Sequence, residues 1–395
     1  MGKLRIVFIA HNLRHGGGLV GTLNLFKALK NVSANEHLLV IYPKGCGYED
    51  IELPADSEAY VYSKGHSPMQ RFLFDTFSLP KIVSGFKPDV ICGLGNLGLS
   101  GSIARQAVFI HNPFVMYDKD EYPRMPFMMT LRTAALRHQI IKSAVKSDLI
   151  FCQTPVVKKR FAERFGYPED KIRIVRWPVP TEIAVPTDSK RPSVFDNTDD
   201  GFNIFIMTRY LRYRNPSVLI PLCGKYAAEF RRHHIRFITN VDAPRHKLSS
   251  AFVNEVHRRH FDDIIINTGV LPREDIPKYL WHSNVLWLPT YIETLCLPFL
   301  EAMTLGTPIL APDLDFARYV CGDAAVFYDP RDIDSAFAKI MLLRQDSALR
   351  KSLVEKGRAQ LQDKSIFSAN WEEVAADMLR ELRQLAQQPN QGEAV

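Results

Sequence analysis

Two carboxylates, Glu293 and Glu301, bracket the apolar run of the segment ETLCLPFLE, which otherwise reads as protein core. Pro298 suits the first turn of a helix, where its missing N–H has no role to lose, so Glu293 falls in a loop and Glu301 inside the helix that follows. So placed, Glu301 can accept hydrogen bonds from vicinal ribose hydroxyls and Glu293 can face a reacting sugar. The N–H groups at the loop–helix junction, from Thr294, Leu295, Cys296 and Leu297, then suit phosphate. Upstream, MTRYLRYRNPS sets Arg209 and Arg214, with Arg212 between them, straight after an apolar run. Guanidinium forks bind diphosphate bidentately and stay charged at any working pH, so this cluster reads as an anion clamp rather than as a solvated basic loop.

Further candidates lie in the first half of the chain. In HNLRHGGGLVGTL, Gly16, Gly17 and Gly18 follow the first apolar run and open a helical one. A helix start with small residues offers free N–H groups to phosphate, or lets a substrate approach the backbone; a plain tight turn explains the same residues about as well. No acidic residue ends the next strand, HLLVIYPKG, as a dinucleotide site requires. A literal GxGxxG occurs at Gly93, Gly95 and Gly98, but on an internal strand. Asp118, at the nominal distance beyond it, falls past the tip of the next strand, so NAD is a minority reading and the loop reads as a cleft lining. His111 ends the run AVFIHNP, where a histidine can donate to a hydroxyl or phosphate.

These residues need elements to hold them. Short β-branched apolar runs (LRIVFIA, HLLVIYP, PDVICGL, QAVFIHN, DLIFCQT) alternate with longer amphipathic ones, which predicts parallel strands buried under helices. The stretch VPTEIAVPTDSKRPSVFDNTDDG has no periodicity and reads as a linker, after which the alternation restarts. The expected organisation is α/β: an N-terminal Rossmann-like domain over 1–178, a linker over 179–200, a second Rossmann-like domain over 201–365, and over 366–395 a helix and polar tail, the helix packing back on the first domain. Ligands are then expected at the C-terminal ends of strands.

Composition narrows the classes. The chain has 395 residues, 46% hydrophobic and 24% charged, as in ordinary globular proteins of two or three domains. Its six cysteines are scattered without CxxC pairs, which argues against a disulfide framework or structural metal site and for a cytoplasmic setting. No apolar run reaches spanning length. A net charge of +7 and a pI near 9.0 suit phosphate-bearing substrates or an anionic membrane, while no nucleic-acid motif accompanies them. The segment from Arg124 to Lys146, with Arg132, Arg137 and Lys142 among methionines and other apolar residues, reads either as a basic amphipathic membrane contact or as a partly buried helix.

Taken together, the sequence resembles retaining glycosyltransferases of the GT-B fold, glycosyltransferase family 4. Glu293 and Glu301 meet that family's E-x7-E signature, continued by EAMTLGTPIL. Arg209 and Arg214 match its Arg-x4-Lys pair, His111 its first-domain histidine, and Gly16 to Gly18 its N-terminal glycine loop. Thr294 and Cys296 stand where the family usually has glycines, Leu295 where it has phenylalanine, and Arg214 where it has lysine. The resemblance implies two Rossmann-like domains with parallel sheets facing across a cleft, and an acceptor-binding first domain. It also implies retaining transfer from a UDP- or GDP-sugar to a glycan, lipid-linked or small acceptor, without metal or other cofactor. Gly17 and Gly18 would border the donor, and Gly269 and Val270 would lie beside the nucleobase. Arg209 and Arg214 would take the diphosphate, Glu301 the ribose, Glu293 the donor sugar, and His111 the sugar or charge at the reacting centre. The competing expectations are a non-catalytic nucleotide-sugar or glycan-binding protein and, more distantly, an NAD-dependent dehydrogenase.

Overall fold

The computed structural model describes residues 2–388 except 34, 64–66, 102–103, 181–182, 184–185, 187–189, 197–199, 209–211 and 245–246. The chain divides into two compact units: one of Met1–Tyr117, Phe127–Pro178 and Ile366–Val395, the other of Asp118–Pro126 and Val179–Ser365.

The first unit is built on strands β1 (Leu4–Ile9), β2 (Glu36–Pro43), β3 (Ser57–Tyr62), β4 (Val90–Gly93), β5 (Arg105–Phe109), β6 (Leu149–Cys152) and β7 (Ile172–Ile174). They form a seven-stranded sheet in the order β3-β2-β1-β4-β5-β6-β7, with every pairing parallel. Its central strands are apolar because both faces are covered: Val7, Ile9, Ile41 and Ile91 pack with Phe74, Leu79, Val83 and Phe86 on one side. On the other side Phe8 meets Phe26 of the helix Gly16–Val32 at a ring distance of 6.1 Å. The covering helical stretch from Pro68 to Phe86 is interrupted by a π-turn at Phe74–Ser78.

The helix Trp371–Ala386 packs on Gly16–Val32. It is pinned at both ends: Arg383 pairs with buried Glu36 and Arg173 with Glu381, each at 2.7 Å, and Trp371 lies 5.2 Å from Trp177 ring to ring.

The second unit carries β8 (Phe202–Ile206), β9 (Ile235–Thr239), β10 (Ile265–Asn267), β11 (Val285–Trp287), β12 (Ile309–Pro312) and β13 (Ala325–Tyr328), in the order β10-β9-β8-β11-β12-β13 and again all parallel. Part of the stretch expected to be a linker belongs to this unit: Phe195 is fully buried against Tyr279, and the Val194 carbonyl accepts from Arg236. So does Asp118–Pro126, expected in the first domain. Arg331 and Arg212 donate to the carbonyls of Asp120 and Arg124, which takes this segment out of the first unit.

In each sheet the strand order reverses once, between β1 and β4 and between β8 and β11. The loops leaving the carboxyl ends of those strands diverge there and open a crevice, the place where open α/β sheets bind ligands.

Candidate functional site

At the β8/β11 reversal, the chain leaving β8 passes through the short 3-10 turn Arg212–Arg214, and the chain leaving β11 runs through Leu288 to Cys296. The two are tied together by backbone: the N–H of Tyr291 donates to the Tyr213 carbonyl at 2.8 Å, and the Thr290 hydroxyl reaches the same oxygen at 3.3 Å. This brings Arg214 Nη2 within 2.9 Å of Glu293 Oε1. Burial raises the Glu293 pKa and Arg214 opposes it. Burial likewise works against the Arg214 charge, but Glu293, Tyr213 and Cys296 outweigh it and hold the guanidinium protonated. Its Nε is buried and has no hydrogen-bond partner among the described residues, a donor without an acceptor. Arg212 is spent on the Arg124 carbonyl, and Arg209 lies outside the described residues.

Beyond Glu293 the chain turns into the helix Leu297–Leu305, with Pro298 in its first turn. Cys296 caps it in the left-handed region, at φ 59°. That geometry is natural for glycine and strained for a side chain. The side chains of Thr294, Leu295 and Cys296 are buried, so what this junction offers a ligand is backbone N–H. Helical geometry leaves the first-turn N–H of Leu297 without an intrahelical acceptor.

Glu301, one turn into this helix, is 1% exposed. Its Oε1 accepts from Arg273 Nη2, while Oε2 is buried and unpartnered. A buried carboxylate oxygen left without a donor costs on the order of 1–3 kcal/mol, so its retention points to a ligand hydroxyl. Just after β10, Gly269 sits at φ 72° with open space around it, and Val270 beside it is 62% exposed, an apolar surface fit for a flat ring.

In the first unit, the helix Gly16–Val32 begins at Gly16, and His15 gives it no side-chain cap, so its opening N–H groups face outward around Gly16, Gly17 and Gly18. A Cβ on Gly18 would lie 3.2 Å from His111 Nε2, so the glycine lets the helix start approach that ring. Burial pushes the His111 pKa down to about 4, leaving a neutral imidazole that donates from one nitrogen and accepts at the other. Asn96, at φ 66°, holds the segment after β5 by accepting from the N–H groups of His111 and Asn112 at 2.7 and 2.8 Å. The glycines of GLGNLG are needed for close packing. A Cβ on Gly93 would sit 2.1 Å from the Leu97 carbonyl oxygen, and one on Gly95 would strike the Asn12 side chain. The motif is a tight loop rather than a dinucleotide cradle.

The site thus holds an orphan donor on Arg214, beside Glu293, and an orphan acceptor on Glu301, in the helix that follows. Residues 197–360 match the family described as glycosyl transferases group 1. Part of the chain is 34% identical over 92 residues to the O-antigen chain mannosyltransferase B of Escherichia coli, a match spanning 23% of this chain and 24% of that relative. Among solved structures, sucrose-phosphate synthase of Thermosynechococcus elongatus superposes with a TM-score of 0.72 at 17% identity, covering 97% of this chain and 99% of its own. HepE of Anabaena, in complex with UDP and glucose, does so at 0.69 and 13%, covering 96% and 100%. At these identities the likeness is one of fold, and the fold is GT-B.

The site contains one residue that sequence reasoning passed over. Arg273 occupies the 3-10 turn Arg273–Asp275, well removed in sequence from Glu301, and only the folded chain brings them together. Nothing about an arginine in the loop GVLPRED marks it as a partner.

Proposed function

We propose that the protein transfers a sugar from a nucleoside diphosphate sugar, with UDP or GDP as the nucleotide, to a glycan, lipid-linked or small-molecule acceptor, with retention of anomeric configuration. One observation carries this reading: Arg214, which pairs with Glu293 just ahead of the helix Leu297–Leu305, has a buried guanidinium donor with no partner among the described residues, and Glu301 inside that helix has a buried carboxylate oxygen in the same condition. A ligand that presents phosphate to the first and hydroxyls to the second satisfies both, and the diphosphate and ribose of a sugar nucleotide do so together.

In this reading Glu301 Oε2 takes the ribose, Val270 and Gly269 flank the base, and the N–H groups from Thr294 to Leu297 meet the diphosphate. Arg214, with Arg209, neutralises the charge that grows on the leaving diphosphate, an electrostatic contribution made mostly in the transition state. Glu293 fixes the Arg214 fork and orients the donor sugar. His111, neutral at pH 7, binds the sugar as a hydrogen-bond partner rather than as an acid. The positive charges on protein take the place of a metal ion. The Escherichia coli relative is named as a mannosyltransferase, which supports hexosyl transfer.

Calorimetric titration with UDP, GDP, ADP and NAD tests the donor assignment. Binding of UDP or GDP and none of NAD is expected, and Glu301→Gln weakens it by about 10- to 100-fold, the loss of a charge-assisted hydrogen bond of roughly 1.5–3 kcal/mol. Unchanged affinity in a folded Glu301→Gln protein overturns the ribose assignment.

A further inference from the structure

Among the described residues Glu301 makes one ion pair, and that pair is placed unusually. Arg273 Nη2 donates to Oε1 from a turn at the protein surface, its side chain 53% exposed, whereas the carboxylate side chain it reaches is 2% exposed. The turn does not float. It leads directly into the helix Ile276–Trp281, which packs on the helix carrying Glu301, and the hydroxyl of Thr307 just past that helix donates to the Leu280 carbonyl at 2.8 Å. Arg273 is therefore held in register with Glu301 by the packing of these two helices and the Thr307 hydroxyl between them.

We infer that Arg273 is a positioning residue of the nucleotide site, holding Glu301 Oε1 so that Oε2 and the open lone pair of Oε1 meet the two vicinal hydroxyls of a ribose. This rests on the function proposed above and deepens it. The physical need is specific to glutamate: its last torsion, between an sp3 and an sp2 carbon, is broad and nearly two-fold, so the buried chain alone does not fix the plane of the carboxylate. A guanidinium on one oxygen does. Carboxylate oxygens together offer about four acceptor positions, so the Arg273 bond leaves enough for two hydroxyls and need not be displaced when the nucleotide enters. Arg273 itself makes no contact with the ligand in this arrangement. Its effect passes through Glu301 and is confined to the ribose.

The test compares whichever of UDP or GDP the protein binds with the 2′,3′-dideoxy form of the same diphosphate, in the full-length wild type and in the Arg273→Gln, Arg273→Lys and Glu301→Gln variants. Thermal unfolding is followed alongside. The wild type is expected to prefer the ribonucleotide, and Arg273→Gln to shrink that preference at least 5-fold by weakening the ribonucleotide alone, with dideoxynucleotide affinity unchanged. Arg273→Lys, which keeps the charge but not the planar fork, should fall between them and carries the test if Arg273→Gln does not fold. A purely structural role would weaken both nucleotides alike, and that result overturns the inference. So does an intact preference in Arg273→Gln while Glu301→Gln abolishes it. An intact preference in Glu301→Gln defeats the ribose reading itself, and the inference with it.

Discussion

His111 and Cys296 each hold a group in a state it would not adopt in water, and each makes a measurable demand. Burial holds the His111 pKa near 4, below the 6.5 of a free imidazole, so the unfolded chain takes up its proton first. Its contribution to stability is complete above about pH 6.5 and is lost as the pH falls toward 4. Denaturant midpoints at pH 7 and pH 5 should therefore drop more in the wild type than in a His111→Asn variant; equal drops would mean that the ring is solvated. Cys296 holds positive φ at a helix cap, where a side chain costs about 1–2 kcal/mol. Glycine removes that strain but costs about 0.5–1 kcal/mol in chain entropy, and its smaller size forfeits some buried surface. The terms nearly cancel, so Cys296→Gly should leave stability within about 1 kcal/mol, whereas Cys296→Val, β-branched at positive φ, should lose more than 2 kcal/mol, on the order expected for strained backbone. Urea unfolding separates the two.

Elements were legible in the sequence where both faces of a strand are buried. LRIVFIA, HLLVIYP and DLIFCQT announce β1, β2 and β6 because continuous apolar runs of that length suit a covered parallel strand. The edge strand β3, SEAYVY, went unread because it is half exposed and carries polar residues, and the helix Ser347–Gln360 because its apolar positions are few. The E-x7-E pair could be read because both glutamates lie on one short segment with its own turn signal. Arg273 could not, since its meaning is a tertiary contact, and neither could the membership of Asp118–Pro126 in the second unit, which depends on two distant arginines finding its carbonyls. The GLGNLG loop has the letters of a phosphate cradle, but its first glycine is fixed by the close approach of the Leu97 carbonyl. Gly93→Ala should accordingly cost about 1–3 kcal/mol in folding, as overpacking does, with no specific loss of nucleotide binding. A variant as stable as wild type would show that the contact relaxes freely.

At the scale of the whole molecule, the charge and exposed apolar residues are unevenly spread. No acidic residue occurs between Tyr122 and Ser147, while Arg132, Arg137, Lys142 and Lys146 do, and Phe127 at 78% exposure leads Met128 and Leu131 as apolar residues open to solvent. Only Ile140 and Ala144 of the helix Phe127–Val145 are buried. Met69, Phe72, Leu73 and Phe77 are exposed on the helical stretch that follows β3. Right-handed crossovers put both stretches on the same layer of the first sheet. No helix among the described residues is long and apolar enough to cross a membrane. We propose that this layer rests on anionic lipid, so the protein should sediment with anionic vesicles, be released by salt, and lose sedimentation when Arg132, Arg137 and Lys142 become Gln, each basic group contributing on the order of 1 kcal/mol. Equal recovery on neutral vesicles would favour a soluble acceptor. Sugar transfer itself is tested most directly by incubating the protein with isotopically labelled UDP-, GDP- and ADP-sugars in EDTA and following the released sugar by NMR. The account predicts release from a UDP- or GDP-sugar, undiminished by the chelator, with the first-formed anomer matching the donor, and at least a 100-fold slower rate in Arg214→Ala, the scale at which removing a charge-stabilising group acts. Tight donor binding with no turnover, or turnover that stops in EDTA and returns with magnesium, would contradict it.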